Sequence, residues 1–302
     1  MTNHFFVKHL YEMPEKFHNK YIFSIVYKAC KLMLNVLYSG FAPLSYGLDD
    51  KSNIIISLTS FPERIDSVNI TIRTLLNQTM RPKSIILWLA TDQFPREKND
   101  LPDNLLALEK YGLSIRFCDN LYPHKKYYYT MKENPESIVI TVDDDVFYPE
   151  DFVEKLWNTS LKYPGTVCCT WAHQITFNEE RIFPYSDWNI VVDAIEPSYS
   201  YMPVGCGGVL YPPHILNETV FDKNLIKNLC LKTDDLWLKT MSLLNHIKCV
   251  RVDQPKNKYM TILKTQKTGL YHSNVGQNIN DINMEKICKF FPQIVRILDM
   301  ED

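Results

Sequence analysis

The most regular pattern in this chain of 302 residues begins near residue 51, where short apolar runs alternate with stretches of helical periodicity. Alternation of strands and helices is typical of a parallel sheet with helices on its faces. We therefore expect an α/β fold whose mostly parallel central sheet lies in one domain, residues 51–302, behind a helical extension, residues 1–50. The first strands are predicted at 53–58, 84–90 and 114–119, and the first helices at 66–78, near 103–111 and at 126–134.

A further strand is predicted at 138–142, and Asp143, Asp144 and Asp145 follow it directly. If the strand continued, its alternation would place Asp143 and Asp145 on one face and Asp144 on the other. Adjacent carboxylates repel one another unless a cation or hydrogen-bond donors offset them. Because Mg²⁺ and Mn²⁺ prefer oxygen ligands and bridge carboxylates to phosphates, we predict a metal and phosphate site here. The alternative is an acidic turn in which one aspartate caps a helix.

Downstream of the acidic triplet, early proline and acidic residues predict a helix at 149–162, and an apolar run predicts a strand at 166–172. The segment 173–204 is rich in aromatic residues and prolines, including Trp188, Tyr199 and Tyr201. Aromatic faces with scattered polar groups suit sugar recognition, but they also suit a packed cover over a sheet. Both interpretations stay open at this point.

Residues 20–38 are apolar except where lysines such as Lys28 and Lys31 interrupt them. We expect no membrane-spanning segment and no signal peptide, because these charges break the apolar run and acidic residues precede it. The segment is predicted to be a helix, which either packs on the main domain or lies as a cationic amphipathic helix on a membrane surface. Gly40 and Pro43 end the pattern.

Composition narrows the possible functions. Hydrophobic residues make up 45% and charged residues 23% of the chain, as in ordinary globular proteins. A net charge of −2 gives no electrostatic reason to expect a nucleic-acid partner. The eight cysteines lack the spacing of zinc ligands. They are expected to be reduced core residues of a cytoplasmic protein.

Glycines are concentrated at 205–208, where Gly205, Gly207 and Gly208 occupy three of four positions. Glycine permits unusual backbone angles and the close approach of a ligand. The spacing matches neither a dinucleotide fingerprint nor a Walker A sequence.

A pair of carboxylates, Asp234 and Asp235, begins an apolar stretch with helical periodicity. Thr233 or Asp234 could cap this helix. Capping by one residue leaves a carboxylate unexplained, and a carboxylate at a helix start beside a pocket is well placed to take a proton. We predict that Asp235 is catalytic.

The order of these motifs resembles the glycosyltransferases of the GT-A fold, in particular the family 2-like bacterial enzymes that build capsular or surface polysaccharide. That family has an acidic DxD motif after a central strand, a glycine-rich loop, an acidic pair opening a helix and a late histidine. The corresponding segments here are 143–145, 205–208, 233–235 and His272, and the resemblance covers about residues 51–280. Asp234 stands where the family more often has glutamate, which leaves open whether Asp234 or Asp235 is the base.

The resemblance implies roles for individual residues. Asp145 and Asp143 would bind the metal, with Asp143 meeting the ribose or a metal-bound water, and His272 would complete the metal shell. The first strand and its loop, residues 57–64, would form the nucleotide-base pocket, where Thr59 can hydrogen-bond a base edge and Arg64 can stack or meet phosphate. Asp144, Gly207 and Gly208 would also contact the nucleotide-sugar. Lys126 either lies near the nucleotide or is a solvated surface lysine.

The implied activity is a metal-dependent transfer, with Mn²⁺ or Mg²⁺, of a sugar from a nucleotide donor, UDP by default, to a hydroxyl of a glycan or lipid-linked acceptor. Direct attack would invert the anomeric centre. The enzyme would work in the cytoplasm, with possible peripheral contact to the inner membrane face through residues 20–38. Two alternatives are a non-catalytic sugar-binding protein of this fold and a haloacid-dehalogenase-like phosphatase. The phosphatase is disfavoured because Phe147 occupies the fifth position of its motif.

Overall fold

The computed structural model describes residues 2–41, 47–192, 196–254, 259–263, 265 and 278–301. The chain divides into two compact units. The first comprises Met1–Cys118, Asp143–Lys155 and Pro255–Thr268, and the second comprises Asp119–Val142, Leu156–Gln254 and Gly269–Asp302. The extension predicted for residues 1–50 therefore belongs to the first unit.

The first unit is built on three parallel strands in the order β1-β2-β3, and their central residues are buried as the apolar sequence requires. The predicted strands and the helix at 66–78 are confirmed, but the helix near 103–111 is shorter than predicted. It ends at Leu106, and a 3₁₀ turn at Glu109–Tyr111 leads to Gly112, whose φ of 107° favours glycine. The elements are α1 (Thr2–Glu12), α2 (Lys20–Val36), β1 (Ile54–Thr59), α3 (Ile65–Leu76), β2 (Ser84–Ala90), α4 (Asp103–Leu106) and β3 (Leu113–Cys118).

The helical extension packs on the rest of the first unit. Cys30 and Leu34 on the inner face of α2 join a buried cluster that also includes Ile70 of α3 and Phe147 after the acidic triplet. Burial of an apolar face is the main source of stability for such a helix. The predicted helix at 20–38 is therefore confirmed as a packed helix on this face.

The outer face of α2 is also apolar, and it is exposed. Its exposed large hydrophobic side chains recur at helical spacing, which marks one continuous stripe. By length and composition alone, the segment Lys20–Gly40 could cross a membrane, a test that core helices and signal sequences also pass. The stripe consists of Tyr21, Ile22, Ile25, Leu32, Met33 and Val36.

The second unit contains four strands in the order β10-β5-β9-β4 and a small antiparallel sheet in the order β7-β6-β8. β10 is parallel to β5, whereas β9 is antiparallel to both of its neighbours, β5 and β4. The α/β class predicted from the sequence is confirmed. The elements are α5 (Lys125–Glu133), β4 (Ile138–Thr141), α6 (Phe152–Lys162), β5 (Val167–Cys169), β6 (Ala172–Gln174), β7 (Asn189–Ile190), β8 (Tyr201–Pro203), β9 (Val209–Tyr211), α7 (Lys223–Leu229), α8 (Asp234–Leu244), β10 (Cys249–Arg251), α9 (Ile279–Phe290) and α10 (Gln293–Leu298).

Two further predicted boundaries are wrong. The helix predicted from Pro149 begins at Phe152. The residues before it are bonded to the segment after α3: Gln78 Nε2 donates to the Pro149 carbonyl at 2.9 Å, and Asn77 Nδ2 donates to Glu150 Oε1 at 2.6 Å. The strand predicted at 166–172 is two strands in different sheets, β5 and β6. The break lies at Thr170, whose hydroxyl donates to the Gly207 carbonyl at 2.5 Å.

The aromatic segment contributes to the core of the second unit. Trp188 is buried, its indole N–H donates to the Phe183 carbonyl at 2.9 Å, and its ring lies 4.8 Å from that of Tyr185. The structure thus favours the packed cover over the sugar site for Trp188. All eight cysteines are free thiols, as predicted.

Candidate functional site

The acidic triplet lies in a turn and not in a strand. β4 ends at Thr141, so the predicted placement of Asp143 and Asp145 on one strand face is wrong. The turn is fixed by its own unit: the Thr71 hydroxyl of α3 donates to the carbonyls of Asp144 and Val146, at 2.9 and 3.0 Å. The backbone N–H of Asp143 donates to the Tyr148 hydroxyl at 3.0 Å. These hydrogen bonds, and not pairing within β4, hold the acidic turn in its conformation.

Arg64 binds two of the three carboxylates. It lies in the 3₁₀ turn Pro62–Arg64 after β1, and its Nη1 is 2.6 Å from Asp144 Oδ1 while its Nη2 is 3.3 Å from Asp145 Oδ2. The Ser60 hydroxyl donates to Asp144 Oδ2 at 2.5 Å. All four of these side chains are buried. Both carboxylates thus accept from a guanidinium and a hydroxyl, but the contacts of Asp145 are longer: 3.3 Å to Arg64 and 3.4 Å to the Thr265 hydroxyl.

Burial raises the pKa of Asp145 to about 6; Arg64 opposes this rise, and the charges of Asp144 and Asp143 add to it. Burial also raises the pKa of Asp144, against the pull of Arg64. One guanidinium thus does not fully offset three neighbouring carboxylates. A carboxylate cluster with surplus negative charge has the chemistry of a site for a hard divalent cation.

Asp143 and Asp145 are the residues that could hold such a cation. Within the part of the chain that the structure describes, no group of three histidine, cysteine or acidic side chains is placed to hold a metal. His272, the third ligand implied by the family resemblance, lies outside the described residues. Carboxylate oxygens, water and substrate phosphates commonly complete the shell of Mg²⁺ or Mn²⁺, so two protein carboxylates fit this ion.

Thr59, predicted to contact the nucleotide base, lies at the end of β1 and is half-buried. Its hydroxyl donates to the Trp88 carbonyl of β2 at 2.7 Å. This bond uses the hydroxyl proton and leaves oxygen lone pairs as acceptors for an amino or imino group.

In the second unit, α8 begins with both predicted carboxylates in its first turn. Thr233 is the N-cap residue, but its side chain does not bond the helix backbone; it accepts from Asn283 Nδ2 at 2.9 Å. Because Thr233 occupies the N-cap position, Asp234 and Asp235 are not the N-cap residue and belong to the first turn of the helix. A first-turn acidic residue is favoured by the helix dipole, and this structural role is available to either carboxylate.

Asp234 and Asp235 differ in their partners. Asp234 is buried, and its Oδ2 lies 2.9 Å from Lys126 Nζ of α5, which is also buried. Asp235 is half-buried, and its Oδ2 accepts the backbone N–H of Gly205 at 3.0 Å. Asp234 is thus paired with a buried lysine, and Asp235 is bonded to the glycine loop.

The glycine loop approaches these side chains closely. A methyl group added at Gly205 would lie 2.6 Å from Asp235 Oδ1 and 2.9 Å from Lys126 Nζ, closer than real side chains come. At Gly207 the same addition would lie 2.6 Å from Thr170 Oγ1. Gly208 has a φ of 87°, which favours glycine. Space and backbone angles therefore explain why glycine occupies these positions.

His124 directly precedes α5 and is buried. Its Nε2 is 2.9 Å from the Cys230 carbonyl, so this nitrogen carries the proton, and its Nδ1 is 3.1 Å from the Tyr127 hydroxyl. Burial lowers the pKa of His124 to about 4, although the charge of Asp234 opposes this. A neutral, fully bonded histidine is typical of a structural residue.

The structure therefore brings together Arg64, Asp144 and Asp145 in one unit, and Lys126, Asp234 and Asp235 in the other. Sequence analysis did not select Ser60 and Gly205 as site residues. Both lie within motifs that were recognised, at 57–64 and 205–208. Their contacts, with Asp144 and Asp235, depend on partners distant in sequence. The motifs therefore indicate the segment of the site but not these individual residues.

No family model matches this chain, and no curated protein matches it. A search of solved structures finds chains that are similar to parts of this one. TarS residues 1–349 from S. aureus is 13% identical with a TM-score of 0.43, covering 81% of this chain and 69% of its own. GalNAc-T7, solved with UDP, GalNAc and Mn²⁺, is 11% identical with a TM-score of 0.43, and the match covers 70% of this chain and 43% of GalNAc-T7. The mannosyltransferase PcManGT from Pyrobaculum calidifontis, solved with GDP-Man and Mn²⁺, is 10% identical with a TM-score of 0.42. The match covers 84% of this chain and 71% of PcManGT.

Proposed function

We propose that this protein is a glycosyltransferase that moves a sugar from a nucleotide donor to an acceptor hydroxyl. The observation that carries the proposal is the acidic turn, in which Arg64 pairs with Asp144 and Asp145 but leaves the cluster with surplus negative charge. Such a cluster suits a divalent cation that accompanies a diphosphate. The donor is UDP-linked by default.

The acidic turn would serve the donor. Asp143 and Asp145 would hold Mn²⁺ or Mg²⁺, which when bound stabilises the negative charge that develops on a departing diphosphate. Arg64 lies against the same carboxylates and can donate from its planar fork to a phosphate as well. Thr59 would offer its hydroxyl oxygen to a polar edge of the base.

Proton removal from the acceptor falls to Asp235 in this proposal. A cation close to a carboxylate favours its charged form and so lowers its affinity for a proton. Asp234 meets Lys126 at 2.9 Å and both side chains are buried, so Asp234 is the less suited of the two. Asp235 is more exposed and is oriented by the Gly205 N–H. Attack by the deprotonated hydroxyl from the face opposite the leaving group would invert the anomeric centre.

The acceptor is a glycan or a lipid-linked saccharide of surface polysaccharide synthesis, and the enzyme acts in the cytoplasm. A lipid-linked acceptor requires contact with the inner membrane face. The exposed apolar stripe of α2 supports this part of the proposal, because Lys28 lies among its residues and a cation beside an apolar face favours anionic lipid.

A thermal-shift screen of nucleotide-sugars with Mn²⁺ tests the donor class. A ligand that binds only the folded state raises apparent stability, so the correct donor should raise the unfolding midpoint and its free base should not. If no nucleotide or nucleotide-sugar shifts the midpoint of the folded protein, the proposal is contradicted.

A further inference from the structure

Lys31 extends from α2 toward the acidic turn. It lies between the buried Cys30 and the exposed Leu32, and it is half-buried. Its ammonium group donates to the Thr261 hydroxyl at 2.8 Å. Lys31, one of the lysines that interrupt the apolar sequence of this helix, therefore faces its own unit and not the exposed stripe.

Thr261 lies directly beside the acidic turn. It forms an antiparallel bridge with Val146, and the backbone on both sides is bonded to the same turn. The N–H of Ile262 donates to the Asp145 carbonyl at 2.7 Å, and the N–H of Phe147 donates to the Met260 carbonyl at 2.9 Å. Thr261 thus fixes the Lys31 ammonium next to the segment that contains Asp145.

Electrostatics agree with this placement. Burial lowers the pKa of Lys31, and the charge of Asp145 opposes the decrease. The ammonium group therefore lies within the field of the acidic turn. Its hydrogen bond goes to a neutral hydroxyl, and an ammonium carries three N–H donors, so it can donate to a further acceptor.

We propose that Lys31 is a donor-binding residue that contacts the diphosphate of the nucleotide, so that the helical extension contributes directly to the donor site. This inference rests on the proposed function. It gives α2 two roles on opposite faces, one toward the nucleotide and one toward solvent. The hydrogen bond to the Thr261 hydroxyl would orient the Lys31 side chain before the ligand binds, which reduces the entropy lost on binding.

Calorimetry with UDP, GDP and the matching nucleosides, with Mn²⁺ present, tests the inference on the full chain. Lys31→Met should weaken diphosphate binding about tenfold, as expected for one charge-assisted hydrogen bond at a half-buried site, and leave nucleoside binding unchanged. Lys28→Met is the matched control, because Lys28 is exposed on the same helix. Lys31→Arg should restore part of the lost affinity.

Thr261→Val provides a second, milder variant. It should weaken diphosphate binding by a smaller factor, and it should have no further effect when combined with Lys31→Met, because the hydroxyl acts through the ammonium. If wild-type protein binds a nucleoside diphosphate and Lys31→Met binds it equally well, the inference is overturned. Equal weakening of nucleoside and diphosphate would also overturn it, since that result indicates a structural role. If wild-type protein binds no nucleotide, the proposed function itself fails.

Discussion

The backbone N–H of Gly205 donates a hydrogen bond of 3.0 Å to Asp235 Oδ2, which ties the glycine loop to the first turn of α8. The two residues belong to motifs that are separate in sequence. The bond orients a half-buried carboxylate, which the proposed transfer uses as its general base. The first predictions follow from this pair.

Asp235→Asn should lower sugar transfer by roughly 100-fold to 10,000-fold, the usual contribution of general-base catalysis. The amide is isosteric and can still accept from Gly205, so nucleotide affinity should change little. Transfer kinetics and calorimetry on the same preparation measure both quantities. Asp103→Asn, at an exposed acidic residue, is the control. Weak nucleotide binding with normal turnover would contradict the role of Asp235.

Gly205→Ala should lower transfer about tenfold or more, equivalent to at least ~1.4 kcal/mol in the barrier. The added methyl would lie 2.6 Å from Asp235 Oδ1, so the carboxylate has to move. Gly40→Ala is the matched control, because a methyl group there meets nothing within 4 Å. Unchanged turnover in Gly205→Ala would show that the position of Asp235 is unimportant.

The ion pair between Lys126 and Asp234 should be important for stability. Lys126→Met leaves a buried carboxylate without its cation and should cost about 3–5 kcal/mol in unfolding free energy, measured by urea denaturation. The double variant with Asp234→Asn removes both charges and should cost less than the two single changes added together. Lys132→Met, at an exposed lysine of the same helix, should be nearly neutral. Additive losses in the double variant would contradict the pairing.

His124 should make stability depend on pH. Its folded pKa, about 4, is below the unfolded value of 6.5, so the unfolded chain binds more protons between these values. Stability should therefore fall as pH decreases from about 6.5 toward 4, by up to about 3 kcal/mol. Urea midpoints of wild type and His124→Gln, compared across this range, isolate the effect. The variant should lose less stability on acidification; parallel curves would disprove this assignment.

The exposed stripe of α2 should bind anionic vesicles. Ile25→Asp combined with Leu32→Asp places two charges on this face and should abolish cosedimentation with phosphatidylglycerol vesicles. Leu161→Asp changes an equally exposed leucine on α6 and should have no effect. Membrane contact through α2 is refuted if the double variant partitions as wild type does.

Much of the fold follows from local pattern, and much of the site does not. Apolar runs such as those of β1 and β2 predict buried strands because both faces of a parallel strand are covered. The pairing of Arg64 with Asp144 joins residues 80 positions apart, and no periodicity encodes it. The conformation of the acidic turn likewise depends on Thr71 of α3, and the segment before α6 is bonded to Gln78, just after α3. Motif order located the acidic segments, but only tertiary contacts distinguish Asp234 from Asp235.

The family resemblance predicted a nucleotide contact for Arg64 but not its pairing with the acidic turn. The Arg64 guanidinium lies against Asp144 and Asp145, so it can contact a diphosphate only beside these carboxylates.

Asp145 is a metal ligand in the proposed function. Asp145→Ala should weaken donor binding and remove its dependence on Mn²⁺, as measured by calorimetry with and without the metal. Binding that keeps its full response to Mn²⁺ in this variant would exclude Asp145 as a ligand.

The central claim is that the acidic turn and its cation activate a nucleotide-sugar. Its most direct test is donor turnover by the full chain across a panel of UDP- and GDP-sugars, with Mn²⁺ and again with excess EDTA. We predict slow hydrolysis of one donor class that requires the metal and is lost in Asp145→Ala. Absence of turnover with every donor, or turnover that is unaffected by both EDTA and Asp145→Ala, would contradict the claim.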